Sequence, residues 1–375
     1  MIQLSKLNYS EAENDAVMRV MESGWLTMGA EVQAFEKEFS QQLLNNTDCI
    51  AVSSCTAALH MALILSGVGA GDDVLVSGLT FVAAANMVLA VGGNPVFADS
   101  KNLTDWNSGI EEIKAAITPN TKAVVITHFA GWPASTIEDI CAYCTSKGIR
   151  VIEDCAHAPG ATINSQFCGT FGDFSCFSFF SNKNIATGEG GMLAVRDKSE
   201  FERSKGLRSH GMTTLTLDRH QGRAFSYDVT EPGYNYRIDE IRGALGRVQL
   251  MKLEKDTQRR KDIFDLYVSN LSESGIKIPF QGVNGATSTY HIMPVLLPNG
   301  TDRQAIMSVM REKEIQTSIH YPAFSTFLAY QGRISEDNKP AVCEDISERE
   351  LTLPMHAMLS DQDVLEITSA LQELI

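Results

Sequence analysis

From about Ile50 to Val195 the chain alternates short apolar runs with amphipathic stretches, and this alternation restricts the fold more than any other feature of the sequence. The runs Ile50–Val52, Asp73–Val76, Pro95–Phe97, Ala123–Thr127, Arg150–Ile152, Phe174–Phe177 and Gly191–Val195 have the length of buried strands. Between them, Thr56–Leu65, Ala83–Val91, Gly109–Ile117 and Ser135–Lys147 carry apolar residues at three- and four-residue intervals, the period of a helix face. Strands and helices in this order build a mostly parallel sheet covered by helices, an α/β fold. After Val195 the pattern changes. A charged segment, Arg196–Arg208, and a polar, loop-like stretch around Thr213–Pro232 lead into a long amphipathic helix from about Ile238 to Leu266. Its Arg259-Arg260 pair reads as a solvated face. From about Gly275 a strand, a helix over Arg303–Lys313, a further strand and a final helix from Asp361 predict a small α+β domain.

A chain of 375 residues has room for two domains at ~100–200 residues each. Its 31 Lys+Arg against 46 Asp+Glu leave a net charge of −15, which excludes a protein built to grip a nucleic-acid backbone. The segment Met1–Ser10 has no basic flank or long apolar region, so nothing in it directs export. The longest apolar stretch, Leu79 to Val91, is interrupted by Thr80 and Asn86 and falls well short of the ~20 residues of a membrane span. The expectation is a cytoplasmic protein without a membrane partner. Eight cysteines (Cys49, Cys55, Cys141, Cys144, Cys155, Cys168, Cys176 and Cys343) lack the spacing of a disulfide framework and read mostly as small buried hydrophobes. Cys141 and Cys144 have no second pair at ligand spacing, so no metal site is expected.

Three features carry chemistry. The strand Ile50–Val52 runs into Ser53-Ser-Cys-Thr56, where the free amides and positive dipole end of a helix make an anion site and Thr56 offers a hydroxyl; alone, helix capping explains these residues as well. Val151-Ile-Glu-Asp154 is an apolar strand ending in two carboxylates, placed where ligands of α/β sheets sit. Strand alternation decides which acid faces the ligand, and a turn-capping role for Asp154 stays open. Lys183 lies in a polar turn between an aromatic strand and the Gly-rich Thr187-Gly-Glu-Gly-Gly191. Surface charge is the default for a lysine, but an amine beside a bound aldehyde forms a Schiff base once its pKa is lowered. Amide donors for a phosphate, an acid for a ring nitrogen and an amine for an aldehyde together match the needs of pyridoxal phosphate.

With these residues the chain resembles the DegT/DnrJ/EryC1/StrS sugar aminotransferases, fold type I pyridoxal-phosphate enzymes. The resemblance rests on Gly24-Trp-Leu-Thr-Met-Gly29, Ser53–Leu59, Thr80-Phe81-Val-Ala-Ala, Glu153-Asp-Cys-Ala-His157, Ser178…Lys183 with Thr187–Gly191, Gly233-Tyr-Asn-Tyr-Arg237 and His320-Tyr-Pro322, in order along nearly the whole chain. It implies a large domain over 1–245, with a mostly parallel seven-stranded sheet between helices, and a small α+β domain over 246–375. It makes Lys183 the Schiff-base lysine and, once freed, the acid–base of the proton shift. Asp154 pairs with the pyridinium nitrogen, His157 meets the ring's phenolic oxygen, and Phe81 stacks on the ring. Cys55, Thr56 and Ser178 hold the phosphate. Cys55 stands where glycine is commoner, so only its amide counts. Asn235 matches a residue that reaches the phosphate from a neighbouring subunit, which implies a homodimer with composite sites.

For the substrate, the resemblance implies a nucleotide-linked keto sugar, aminated with L-glutamate as donor through the pyridoxamine form, at C4 rather than C3. Trp25, Thr27, Arg237, His320 and Tyr321 are the matching pocket positions. After His320-Tyr-Pro the family often carries another His, whereas here the chain reads Ala323-Phe-Ser-Thr-Phe327. Three other readings come from the same family: an aminocyclitol aminotransferase, a sugar dehydratase and a non-catalytic homologue. The dehydratase has His in place of the lysine and the non-catalytic homologue loses the lysine or the acid; Lys183 and Asp154 speak against both.

Overall fold

In the computed structural model, residues 1–213, 226–334 and 339–375 are described. Residues 214–225 of the polar stretch Thr213–Pro232 therefore lie outside the described residues. Two helices open the chain, α1 (Glu11–Ser23) and α2 (Ala30–Leu43), where the resemblance to the family implies an N-terminal helical segment of the large domain. Then follow β1 (Cys49–Val52), α3 (Cys55–Leu65), β2 (Asp73–Ser77), α4 (Ala83–Ala90), β3 (Asn94–Ala98), α5 (Ile110–Ala116), β4 (Thr121–Thr127), α6 (Ile137–Lys147) and β5 (Arg150–Asp154). A short hairpin, β6 (Thr162–Ile163) and β7 (Gln166–Phe167), precedes β8 (Phe174–Ser178), β9 (Gly191–Val195) and α7 (Lys198–Leu207). The expected strands are all present, most of them longer by one or two polar residues.

The seven-stranded sheet has the order β1-β9-β8-β5-β4-β2-β3, with only β9 antiparallel to its neighbours. Helices cover both faces, so β1, β8 and β9 are buried along their whole length, and this is why the strands read as continuous apolar runs. The charged segment Arg196–Arg208 folds as α7, with the Asp197 side chain accepting from the amides of Ser199 and Glu200 at its start. The long helix α8 (Glu240–Leu271) packs against α1 and α2. Its buried Glu240 accepts from the amides of Gly29, Glu31 and Val32, a carboxylate at the positive end of α2. At Gly243 a Cβ would lie 2.8 Å from the Val32 nitrogen, so the two helices approach too closely for any side chain there.

The C-terminal part adds β10 (Ala286–Thr287), β11 (Met293–Leu296), α9 (Arg303–Glu312), α10 (Ala341–Arg349), β12 (Glu350–Leu353) and α11 (Asp361–Gln372). Strands β11 and β12 pair antiparallel over their own apolar core. Helix α10 is not anticipated by the sequence pattern. Residue 245 falls inside α8. Arg260 corrects the expectation of a solvated Arg259-Arg260 face. It is buried, and its guanidinium donates to the carbonyls of Tyr290, His291 and Met355. Burial draws its pKa down to about 10, which still leaves it charged at neutral pH. Arg259 does reach solvent and pairs with Asp361. Seven of the eight cysteines are buried, Cys141 is half-buried, and all are free thiols.

Strand β5 also settles which of its two acids faces away from the ligand side. Glu153 is fully buried and accepts from His128 Nε2 at 2.9 Å and from the amides of Gly169, Phe171 and Gly172 at 2.7–2.8 Å. Burial opposes its ionisation, but His128 and these amides outweigh that and hold its pKa below the usual range. Glu153 thus ties the 169–172 loop to the sheet. Glu153→Gln turns an NH2 toward groups that themselves donate, and the expected cost is ~3 kcal/mol. A lowered thermal midpoint checks this; an unchanged midpoint contradicts it.

Candidate active site

The carboxyl ends of β1, β2, β4, β5 and β8 open on one cavity of about 350 Å³. That is where ligands meet open α/β sheets. Cys55, Thr56, Phe81, Asp154, His157, Ser178, Lys183, His320 and Tyr321 all line it. Residues that no local pattern singles out complete the wall, including Thr127, whose hydroxyl donates to Thr80 at 2.8 Å, and Asn182 and Glu189.

At one end lies the start of α3. Ser54 caps it, accepting from the Ala57 amide, and the first-turn amides of Cys55 and Thr56 have no acceptor within the helix. Strand β9 crosses close behind: a Cβ on Gly191 would lie 2.5 Å from the Ser54 carbonyl carbon. Ser178, at the end of β8, accepts from the Phe180 amide at 3.4 Å, which leaves its own hydroxyl hydrogen to donate.

Asp154 forms the floor. Its Oδ1 accepts from the Ala156 amide at 3.1 Å, with the Cys55 thiol 4.0 Å away. Burial raises its pKa above the usual carboxylate value, although the Ala156 amide and Lys183 pull the other way. Lys183 stands in the same cavity with its pKa lowered to about 8, chiefly by burial and against the pull of Asp154. Relative to the ordinary 10.5, that shift raises the neutral amine at pH 8 from roughly 0.3% to about half.

Two histidines have tautomers dictated by their neighbours. His157 Nδ1 accepts from the Ala130 amide at 3.2 Å, so its hydrogen sits on Nε2, 3.1 Å from the Tyr321 hydroxyl. Burial holds its pKa well below 6.5, which makes it a neutral donor. His291, 3.5 Å from Lys183 Nζ, is oriented the other way. Asn184 gives its NH2 to the Thr289 carbonyl, so its oxygen must accept from His291 Nδ1, and the lone pair of His291 Nε2 faces the lysine. Sequence reasoning missed His291, since its only local signal was a His beside polar residues ahead of an apolar strand.

A phosphorylated aldehyde on a protonated pyridine fits these donors: amides and a hydroxyl at a helix start, a buried carboxylate short of a donor, and a lysine whose pKa burial lowers to about 8. Phe81 fits as well, because it is 56% exposed at the cavity, costly for a phenylalanine unless a ring covers it. Trp25, Thr27, Asn235 and Arg237 do not line the cavity. The Trp25 indole packs at Gly29, where a Cβ would lie 2.6 Å from it. Asn235 is exposed, beside the Tyr234–Tyr236 stack.

A sequence model of the DegT/DnrJ/EryC1/StrS aminotransferase family matches residues 8–372. The chain belongs to this family. It is 34% identical over 371 residues to the spore coat polysaccharide biosynthesis protein SpsC of Bacillus subtilis, covering 97% of this chain and 94% of that one. To the GDP-perosamine synthase of Escherichia coli O157:H7 it is 33% identical over 364 residues, covering 96% and 95%. Spr1654 from Streptococcus pneumoniae, solved in PMP and PLP forms, superposes in its PMP form with a TM-score of 0.90 at 28% identity, over 100% of this chain and 99% of that one. The family member described here is therefore a pyridoxal-phosphate-dependent sugar aminotransferase of fold type I.

Proposed function

We propose that this enzyme transfers an amino group from L-glutamate to a 4-keto deoxysugar on a nucleotide carrier, acting as a cytoplasmic homodimer. The observation that carries this reading is the meeting of Lys183, Asp154, His157 and the α3 start in one cavity, in a chain similar to a GDP-perosamine synthase. Bound pyridoxal phosphate supplies an aldehyde that condenses with amines and a ring that accepts electron density.

The chain's own residues do the rest. The amides of Cys55 and Thr56 with the Ser178 hydroxyl would hold the phosphate at the positive end of α3. Asp154 would keep the ring nitrogen protonated, His157 Nε2–H would donate to the ring oxygen, and Phe81 would cover the ring. Lys183 carries protons: its pKa near neutrality lets the amine both take and return one within the cavity. His320 and Tyr321 bound the acceptor side. Asn235, Trp25, Thr27 and Arg237, away from the cavity of their own chain, belong in this reading to the face that meets a second subunit. Residues 1–245 form the large lobe and 246–375 the small one, with α8 crossing between them.

A glutamate-coupled screen against UDP-, dTDP- and GDP-linked keto sugars tests the proposal. Amination of a 4-keto sugar on one carrier is expected. Turnover of 3-keto sugars or cyclitols alone overturns it.

A further inference from the structure

Behind His320 lies a buried carboxylate that neither the cofactor nor the substrate reading uses. Glu350, the first residue of β12, is 0% exposed and has no salt-bridge partner among the described residues. Its Oε2 accepts from the His320 amide at 2.8 Å, and its Oε1 is in short contact with the Thr352 hydroxyl. Thr352 Oγ1 lies 2.8 Å from His320 Nδ1. A continuous hydrogen-bonded chain therefore runs from Glu350 through Thr352 to the imidazole on the cavity wall.

We propose that Glu350, acting through Thr352, sets which ring nitrogen of His320 carries the proton and so makes the cavity side of that ring either an acceptor or a donor. With Glu350 ionised, the Thr352 hydroxyl donates to it, Thr352 Oγ1 accepts from His320 Nδ1–H, and Nε2 keeps its lone pair. When a proton arrives at Nε2, the Nδ1 proton passes to Thr352 Oγ1 and the hydroxyl's own proton passes to Glu350 Oε1. Glu350 then donates to Thr352, Thr352 donates to Nδ1, and Nε2 bears a hydrogen toward the cavity. One proton has entered, Glu350 has lost its charge, and His320 is neutral in both states.

The electrostatics suit this division. Burial, helped by the neighbouring Lys183 charge, lowers the His320 pKa to about 4, so an imidazolium does not persist there. Burial raises the Glu350 pKa to about 8, although Thr352, the His320 amide and Arg303 oppose the rise. The charged and titratable groups facing Glu350 are few. Arg303 of α9 spends its Nη1 on the carbonyls of Ser347 and Glu350, Glu348 lies near Arg303, and Tyr321 keeps its proton because burial raises its pKa. The use follows from the reaction: amination of a keto carbon expels its oxygen as water, which requires a proton at that oxygen, and His320 Nε2–H supplies one without a second cation beside Lys183. Glu350 and Thr352 are positioning residues, and His320 is the group that meets the substrate.

This inference rests on the reading of the cavity as the aminotransferase site, and its test separates the two. Holoenzyme labelled with 15N-histidine is titrated by NMR, with the His320 signals assigned by their loss in His320→Gln. The hydrogen is expected on Nε2 well below pH 8 and on Nδ1 well above it. In Glu350→Gln the side-chain oxygen stays on the His320 amide and the NH2 donates to Thr352, so the Nε2–H form is expected at every pH. Thr352→Val uncouples the ring from Glu350, and Thr352→Ser restores the response, which a merely structural hydroxyl would not do. A wild-type tautomer that does not change with pH, or a pH response that survives in Glu350→Gln, overturns the proposal. Failure of the aminotransferase reading shows separately, as a holoenzyme with no borohydride-reducible cofactor link at Lys183.

Discussion

Lys183→Ala is expected to reduce amino transfer by on the order of 10⁴-fold, the largest effect of any single substitution in this enzyme. The lysine has two duties that no neighbour can assume. Among the described residues it is the only amine lining the cavity, so the covalent hold on the cofactor aldehyde goes with it. Its amine also titrates near neutrality, whereas the imidazoles of His157 and His291 have pKa values well below 6.5, that of His320 lies at about 4, and the Tyr321 hydroxyl is held protonated. The alanine variant keeps the α3 start and Asp154, so it still binds the cofactor, now without a covalent link. Borohydride reduction followed by peptide mapping should find the cofactor on Lys183 in the wild type and on no lysine in the variant. Alkylamines small enough for the space left by the side chain should restore part of the rate. A variant that retains a reducible lysine link, or more than about one hundredth of the activity, removes Lys183 from this role.

How much of this could be read in the chain depends on whether the cause was local. The strands were legible because helices bury both faces of the sheet, which makes each one an unbroken apolar run. Their ends were less so, because Asn94, Ser77 and Ser178 join the ladder as polar residues beyond the apolar runs. Helix α10 follows Pro340 in a mixed, charged stretch, and its burial comes from contacts with residues far away in sequence, such as Asp99, which accepts from the Val342 and Cys343 amides. The groups that close the cofactor cavity were legible as types at strand ends. Their partners were not. Arg260 is buried only because the 290–291 segment and Met355 turn three carbonyls toward it, and a pattern of charges along a helix holds no record of that. His291 reaches Lys183 across 108 residues of sequence, and Glu350 reaches His320 across 30. Alternation along β5 posed the choice between Glu153 and Asp154 but did not answer it. The answer lay in the 169–172 loop, whose three amides claim one acid and leave the other to the cavity.

Asp154→Asn is expected to lower turnover by ~10²–10³-fold while leaving the cofactor bound. The substitution changes no volume, and the asparagine oxygen can still accept from the Ala156 amide. What it removes is the negative charge that favours a protonated ring nitrogen, because the new NH2 donates to an unprotonated nitrogen instead. The loss should therefore fall on kcat rather than on the affinity for glutamate. Stability gives an independent check, with a definite sign. In the protein without cofactor, burial raises the Asp154 pKa above its ordinary value, so the ionised carboxylate weakens the fold. That cost develops as pH rises through the ordinary value of 3.8 to the raised one, and it stays in force at neutral pH. Asparagine carries no such cost. The cofactor-free variant should melt at or above the wild-type temperature at neutral pH, and added pyridoxal phosphate should raise its midpoint by less than it raises the wild type's, because the charge that the pyridinium compensates is missing. Lower stability in the cofactor-free variant would mark Asp154 as a structural cap of the following turn. Wild-type turnover would show that the ring nitrogen finds its proton elsewhere.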